Sequence, residues 1–192
     1  MRFKFTKLKL RGLVLVEPEV GSDARGTFSE IYKSSVFSKA GIKETFVQDN
    51  RSVSQKGVLR GLHYQRRPFA QAKLVSCGRG RVLDVAVDLR RGSKTFKKWF
   101  GVELSGENRL SLFIPAGFAH GFLALEDGSE LTYKCSKEYA PAYDAGIRWD
   151  DPAVGVKWPV KKPRLSEKDS NLPVLSAVKS RRIRQKVWRK ER

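Results

Sequence analysis

The chain has 192 residues, of which 40% are hydrophobic and 31% charged, a balance typical of a globular protein with one well-filled core. No apolar run approaches the roughly 18–20 residues of a membrane-spanning helix, and the run at 13–16 is too short for a secretory signal, so no membrane association is expected. Two cysteines, Cys77 and Cys135, give no disulfide framework, which predicts core thiols and a cytoplasmic location.

The net charge of +19 is the unusual feature of the composition. Residues 179–192 carry +7 of it, and the rest of the chain carries +12. A positive surface attracts an anionic substrate such as a nucleotide, and it would equally suit nucleic acid. Because no zinc-finger spacing, recognition-helix pattern or RNA-binding aromatic motif accompanies the charge, nucleic acid is not expected as a partner.

Short alternating strands separated by turns are the dominant pattern of the chain. In chain order the predicted strands are 13–16, 46–48, 73–76, 81–89, 99–104, 110–114, 121–125 and 131–135. The clearest is 81–89, where every second residue from Leu83 is leucine or valine, which predicts one buried face. A turn is predicted at 78–80 and a short helix at 34–40. This pattern indicates a mainly β fold, a sandwich or barrel with few helices, in one domain (1–175) followed by a basic tail (176–192).

The only two histidines of the sequence each lie in a glycine-containing motif, His63 within 58–65 and His120 within 114–122. Histidine has an ordinary pKa of about 6.5, so it can both accept and donate a proton near neutral pH. Zinc or iron in a β-barrel would need three or four clustered ligands. Two histidines more than fifty residues apart do not supply them, so we expect a site without metal or other cofactor.

Three further residues are candidates to work with His63. Asp169 is a possible orienting carboxylate, Lys73 opens a predicted strand and could stabilise an oxyanion, and Tyr133 alternates onto one face with Leu131 and Cys135. Each also has an ordinary structural interpretation, since strand tyrosines usually pack in cores and lysines at strand starts are usually solvated. Periodicity alone therefore predicts only an antiparallel β barrel with a polar pocket.

Seven segments, in order between about residues 8 and 173, resemble the dTDP-4-dehydrorhamnose 3,5-epimerase family of the cupin superfamily. They are DARGTFSE (23–30), FVQDNRS (46–52), GVLRGLHYQ (57–65), QAKLV (71–75), DVAVDLR (84–90), IPAGFAHGF (114–122) and WDDP (149–152). The resemblance implies a cupin-type jelly-roll barrel, assembled as a homodimer in which an N-terminal segment is exchanged. It also implies inversion of the carbons on either side of the C4 ketone in a dTDP-linked 4-keto-6-deoxyhexose, a step of dTDP-rhamnose biosynthesis.

The resemblance also implies roles for individual residues. His63 would be the base, oriented by Asp169, Tyr133 the acid on the opposite face, Lys73 the stabiliser of the enolate oxygen, and His120 a further lining residue. The implied substrate-binding residues are Arg25, Arg60 and Lys168 at the diphosphate and neighbouring groups, Glu30, Gln48, Asp49, Asn50 and Asp144 at further positions, and Tyr139 stacked on thymine.

Two alternatives stay open. Related enzymes on the same barrel epimerise one carbon only, or isomerise a ketone between C3 and C4, and Tyr133 favours the double epimerase because it supplies a second proton carrier. A non-enzymatic anion-binding cupin is the alternative of a different class, and it gives no reason for His63, Lys73, Tyr133 and Asp169 to occur together.

Overall fold

Residues 2–178 are described by a computed structural model, so the tail predicted at 176–192 lies, apart from its first three residues, outside the described residues. In chain order the strands are β1 (Phe3–Lys7), β2 (Val14–Pro18), β3 (Gly21–Asp23), β4 (Gly26–Phe28), β5 (Gln48–Ser54), β6 (Leu59–Gln65), β7 (Lys73–Arg79), β8 (Arg81–Asp88), β9 (Trp99–Ser105), β10 (Ser111–Ile114), β11 (Phe118–Ala124), β12 (Ser129–Cys135) and β13 (Asp144–Gly146). The helices are α1 (Ser34–Lys39) and α2 (Glu167–Ser170), with 3-10 turns at Pro141–Tyr143 and Leu175–Ala177. In this part of the chain no helix is long and apolar enough to cross a membrane.

Two antiparallel sheets face each other across the main core. One has the strand order β1-β2-β10-β7-β12-β5, the other has the order β13-β6-β11-β8-β9, and β3 and β4 form a separate hairpin. Buried side chains from both sheets meet in one hydrophobic cluster, among them Val75, Leu112 and Leu131 from the first sheet and Val82 and Phe122 from the second. This arrangement confirms the predicted mainly β jelly-roll with few short helices.

Most predicted strands occur where the alternation places them, and the predicted helix is α1, which ends at Lys39. The strand predicted at 46–48 begins only at Gln48 and continues to Ser54. The turn predicted at 78–80 is narrower, because β7 continues to Arg79 and leaves Gly80 alone between two strands. Gly80 has a φ of +70°, and a Cβ there would lie 2.7 Å from Ser129 Oγ, so the tight turn requires glycine.

Strand β8 corrects the prediction of a single buried face. Val85 and Val87 lie in a cluster on the outer side of the five-stranded sheet, as the alternation predicts. The residues between them are equally buried: Ala86 belongs to the core between the sheets, and Asp84 and Asp88 are 0% exposed. Both faces are covered, which is why two aspartates of this strand are buried.

The layer that buries the outer face of the five-stranded sheet is the C-terminal part of the chain. Val156, Trp158 and Leu175 pack against that face. Between Trp158 and Leu175, the backbone at Arg164 attaches this C-terminal segment to the start of β6: Arg164 N donates to Gly57 O (2.8 Å), and Arg164 O accepts from Leu59 N (3.0 Å). This attachment places α2, three residues later, against β6.

Candidate active site

A cavity of about 410 Å³ opens between the two sheets and beneath α2. It is lined by Arg51 and Ser52 from β5, Arg60 and His63 from β6, Lys73 from β7, His120 and Phe122 from β11, Tyr133 from β12, and Ser166, Lys168 and Asp169 from the segment around α2. All four predicted catalytic residues therefore line one cavity, together with three of the predicted binding residues.

The two histidines are neighbours in this cavity because they are paired residues of adjacent antiparallel strands, β6 and β11. Residues paired in this way point to the same face of a sheet. The glycines beside them let the strands approach closely: a Cβ on Gly61 would lie 2.6 Å from Gly121 Cα, and one on Gly121 would lie 2.7 Å from Arg60 O. Close packing of the two strands thus explains one glycine in each histidine motif, Gly61 and Gly121.

His63 is held by Asp169. His63 Nε2 lies 2.5 Å from Asp169 Oδ1, and Asp169 is only 3% exposed. Burial by itself would raise the pKa of Asp169, but hydrogen bonds from His63, the Ser166 side chain and the Gly61 backbone outweigh it and lower that pKa. Because an ionised carboxylate only accepts hydrogen bonds, Nε2 carries the proton and Nδ1 is left as the basic nitrogen.

Asp169 reaches His63 because α2 has a defined start. The N-cap residue Ser166 has extended backbone angles, and its Oγ accepts a hydrogen bond from Asp169 N at 3.1 Å. A serine followed three residues later by an acidic residue is a known helix-start pattern, so Ser166 is a lining residue that the sequence could have revealed.

Lys73 and Tyr133 stand on the six-stranded sheet, opposite the two histidines. Lys73 Nζ is 5.5 Å from the centre of the Tyr133 ring, and the His120 and Tyr133 ring centres are 6.4 Å apart. Burial lowers the pKa of Lys73, an effect that negative charge at Cys135 and at two aspartates partly opposes. Burial raises the pKa of Tyr133, so its hydroxyl keeps its proton through neutral pH and can act as an acid.

The polar rim of the cavity gathers three of the predicted binding residues. Tyr139 Oη donates to Asp144 Oδ2 at 3.1 Å, and Lys168 Nζ also binds Asp144 Oδ2. The hydrogen bond with Asp144 raises the pKa of Lys168, which keeps it cationic. Deeper in the cavity, Arg60 Nε donates to Ser54 Oγ at 3.1 Å, an anchor that leaves the terminal nitrogens of the guanidinium for a ligand.

Gln48, Asp49 and Asn50 lie on the edge strand β5 rather than in the main cavity. Gln48 Oε1 accepts from Tyr139 N (2.7 Å), which links this strand to the rim. Asp49 pairs with Lys134, and both Asp49 and Asn50 line a second, adjoining cavity of about 320 Å³. These three residues therefore lie next to the site, on the end strand of the six-stranded sheet.

The structure does not bring Arg25 and Glu30 to the cavity of this chain. Arg25 lies on the β3–β4 hairpin with its side chain 90% exposed, where it pairs with Asp23. Glu30 follows the hairpin and lies 3.4 Å from Lys33 Nζ. Over residues 2–178, no group of three or more histidine, cysteine or acidic side chains is placed to hold a metal ion.

Comparison with known proteins gives a consistent result. The profile of the dTDP-4-dehydrorhamnose 3,5-epimerase family matches residues 7–177. A curated dTDP-4-dehydrorhamnose 3,5-epimerase from Methanothermobacter thermautotrophicus is 52% identical over 172 residues, which cover 88% of this chain and 92% of the relative. These matches span both sheets and the segment that carries Asp169.

Two solved structures are similar to the whole fold. One is a dTDP-6-deoxy-D-glucose-3,5-epimerase from Legionella pneumophila in complex with dTDP-4-keto-L-rhamnose. It matches with a TM-score of 0.89 at 43% identity, and the match covers 93% of this chain and 95% of the Legionella chain. A 3'-monoepimerase from Streptomyces bikiniensis, in complex with dTDP-quinovose, has a TM-score of 0.83 at 39% identity and covers 88% of this chain and 86% of its own.

Proposed function

The chain belongs to the dTDP-4-dehydrorhamnose 3,5-epimerase family, and from this premise we propose how its cavity inverts the two carbons that flank a C4 ketone. The reaction is an isomerisation that converts dTDP-4-dehydro-6-deoxy-D-glucose to dTDP-4-dehydro-L-rhamnose. The observation that carries the proposal is the His63–Asp169 pair, which faces Lys73 and Tyr133 across one cavity.

Removal of the proton is the first step at each carbon. His63 Nδ1 takes the proton from the carbon beside the ketone, and the electron pair of the C–H bond moves onto O4 as an enolate. A proton next to a ketone is a weak acid, so the enolate must be stabilised as strongly as the base is oriented. Lys73 supplies positive charge for O4, and His120, beside His63, supplies a second polar group.

Return of a proton from the other face completes the inversion. His63 stands on the five-stranded sheet and Tyr133 on the six-stranded sheet, so the two proton carriers approach from opposite walls. Tyr133 gives its hydroxyl proton to the carbon, and the enolate collapses to the ketone. Solvent water then returns a proton to the Tyr133 phenolate and takes up the one held by His63, so both residues are ready for the second carbon. Protons move without net oxidation, and we propose that the reaction needs no metal or redox cofactor.

The substrate site is completed, we propose, by a second copy of the chain in a homodimer. Arg25 and Glu30 belong to the exposed β3–β4 hairpin and the residues that follow it, away from the cavity of their own chain. The edge strand β5 carries Asp49 and Asn50 beside the site. We propose that the hairpin of the partner subunit packs near this edge. We also propose a cytoplasmic location, and the two free, buried cysteines support this proposal.

Incubation with dTDP-4-dehydro-6-deoxy-D-glucose in deuterated water, followed by proton NMR, tests the proposed function. We expect the L-rhamno product with deuterium at both C3 and C5, with or without a chelator. Deuterium at one carbon would identify a single-site epimerase, as in the Streptomyces bikiniensis relative, and migration of the ketone to C3 would identify a ketoisomerase. If the protein neither exchanges deuterium nor converts the substrate, it is an anion-binding protein and not an enzyme of this class. Loss of turnover with the chelator would contradict metal independence.

Arg60→Ala should mainly weaken substrate binding. A contact with the diphosphate is similar in the ground state and the transition state, so its loss raises KM and leaves kcat close to wild type. A charged hydrogen bond of this kind contributes about 1.5–3 kcal/mol, which corresponds to roughly a ten- to hundredfold change in KM. Steady-state kinetics measure both constants.

Arg81→Ala is the matched control for Arg60→Ala, because Arg81 pairs with Glu103 and Glu126 at the surface and does not line the cavity. It should leave both constants unchanged. A normal KM with a collapsed kcat in Arg60→Ala would instead place Arg60 at the reacting ketone.

Deletion of residues 179–192 should leave kcat near wild type, because every proposed catalytic residue precedes the tail. We propose that residues 1–175 form the epimerase domain and that the basic tail has no part in the chemistry. Turnover and the melting temperature of the truncated protein, measured at several protein concentrations, separate an effect on catalysis from one on assembly. A large loss of kcat in a truncated protein that still folds and assembles would contradict this division.

A further inference from the structure

A buried carboxylate that the proposed mechanism does not use lies beneath the cavity, behind His120. Asp84 lies in the middle of β8, is 0% exposed and is not among the residues that line the cavity. Its Oδ1 lies 2.7 Å from His120 Nε2, and its Oδ2 has no hydrogen-bond partner among the described residues. A buried carboxylate with one free oxygen is costly, so its presence needs an explanation other than stability.

Asp88, four residues along the same strand, is a buried aspartate with a structural role and serves as a comparison for the hydrogen bonding of Asp84. It is also 0% exposed, but both of its oxygens are satisfied: Oδ1 accepts from Arg90, and Oδ2 accepts from Arg90, Ser93 and Thr95. These bonds fix the loop after β8. Asp84 organises no such loop, and its one partner is a residue of the cavity.

The charge of Asp84 acts on two groups at once. Through Oδ1 it holds His120 Nε2, which leaves Nδ1 as the ring nitrogen available to the cavity. It also favours the protonated state of Lys73, opposing the burial that lowers the pKa of that lysine. Lys73 and His120 are the two groups placed to stabilise the enolate oxygen.

We propose that Asp84 is a positioning residue for the epimerisation, which fixes the orientation of His120 and keeps Lys73 cationic from beneath the cavity. This role rests on the proposed function, since Asp84 acts on the two groups that stabilise the enolate of that reaction. It adds a second carboxylate–histidine pair with a different task. Asp169 orients the base His63, whereas Asp84 orients His120 and favours the cationic form of Lys73.

Several other charged and titratable groups near Lys73 can also affect its pKa. They are Arg60 and His63 from β6, Asp84 from β8, His120 from β11, Tyr133 and Cys135 from β12, Asp144 from β13 and Asp169 from α2. The other two carboxylates of this set are paired with cationic or proton-donating partners, Asp144 with Lys168 and Asp169 with His63. Among these three carboxylates, Asp84 is the one with a fully buried oxygen that has no hydrogen-bond partner in the described structure.

Asp84→Asn tests the proposal because an amide oxygen can still accept from His120 Nε2 while the charge is gone. We expect kcat to fall about 10–100-fold, by analogy with the carboxylates that orient metal-bound histidines from behind, with KM little changed. Activity that requires a cationic Lys73 is lost as pH rises through the pKa of that lysine. Without the negative charge, the alkaline limb of the kcat/KM profile should move to lower pH.

Asp88→Asn is the matched control, since Asp88 is equally buried on the same strand but about 13 Å away along it. It should lower the melting temperature and leave the alkaline limb in place. An alkaline limb that stays at the wild-type pH in folded Asp84→Asn would overturn the proposal, whatever the value of kcat, because a merely structural role lowers activity in parallel at every pH.

A measurement on the native protein keeps the proposal testable if Asp84→Asn does not fold. The sequence has only two histidines, so nitrogen-15 NMR of labelled imidazoles gives two ring systems, which His63→Ala assigns. We expect His120 to carry its proton on Nε2 across the active pH range, and an unprotonated Nε2 would overturn the proposal. This result is independent of turnover, so a wild-type protein that exchanges no deuterium would contradict the proposed function alone.

Discussion

His63→Ala should abolish both epimerisation and deuterium exchange. His120 is also held by a carboxylate, but we assign it and Lys73 to the enolate oxygen, which leaves His63 as the proposed base. Removal of a general base lowers the rate by at least about 10²–10⁴-fold. The measurement is deuterium incorporation at C3 and C5, compared with wild type at equal enzyme concentration.

The loss in His63→Ala must be separated from misfolding. The variant should bind dTDP with wild-type affinity, since the role that we propose for His63 is at the sugar ring and the proposed diphosphate contacts are unchanged. Added imidazole should restore part of the exchange, because the deleted ring leaves room for it beside Asp169. Exchange at both carbons at the wild-type rate, without imidazole, would show that another residue is the base.

Tyr133→Phe should separate proton removal from inversion. The substitution keeps the ring and removes only the hydroxyl, so the His63–Asp169 pair and Lys73 remain in place. Deuterium should still enter at one or both carbons, because His63 can return a deuteron to the face from which it took the proton. Inversion should be strongly impaired, by at least about 10²-fold, since the opposite face has lost its acid.

Exchange and inversion are measured in the same sample by proton NMR, so each serves as a reference for the other. Tyr64→Phe is the matched control: Tyr64 follows His63 directly but packs in the cluster on the outer face of the same sheet. It should leave both rates unchanged. If Tyr133→Phe inverted both centres at the wild-type rate, Tyr133 would be a wall residue and the acid would be another group.

The secondary structure was largely predictable because it depends on local patterns. Alternation along 131–135 places Tyr133 on the same face as Leu131 and Cys135, and Leu131 is a core residue as expected. Strand β6 is harder to predict, since His63 and Gly61 occupy inward positions where alternation would need apolar residues. The histidine motif and the family resemblance, rather than periodicity, predicted that this segment carries a catalytic residue.

The buried aspartates show where the pattern was insufficient. Asp84 and Asp88 alternate with valines and leucines in the sequence, which is the usual pattern of a solvated face. They are buried because a second sheet and the C-terminal segment cover both sides of β8. Coverage of a strand depends on which distant elements pack against it, and no local window contains that information.

The sequence by itself determined the mainly β fold, the positions of most strands and, through seven motifs, the family and the residue types available for proton transfer. Only the tertiary structure decided which of these residues meet. Asp169 contacts His63 across 106 positions of the chain because residues 164–170 dock on β6, and Arg25 stays outside the cavity of its own chain because its hairpin projects away. The physical reason is that strand formation depends on alternation over a few residues, whereas a catalytic pair depends on the packing of segments distant in the chain.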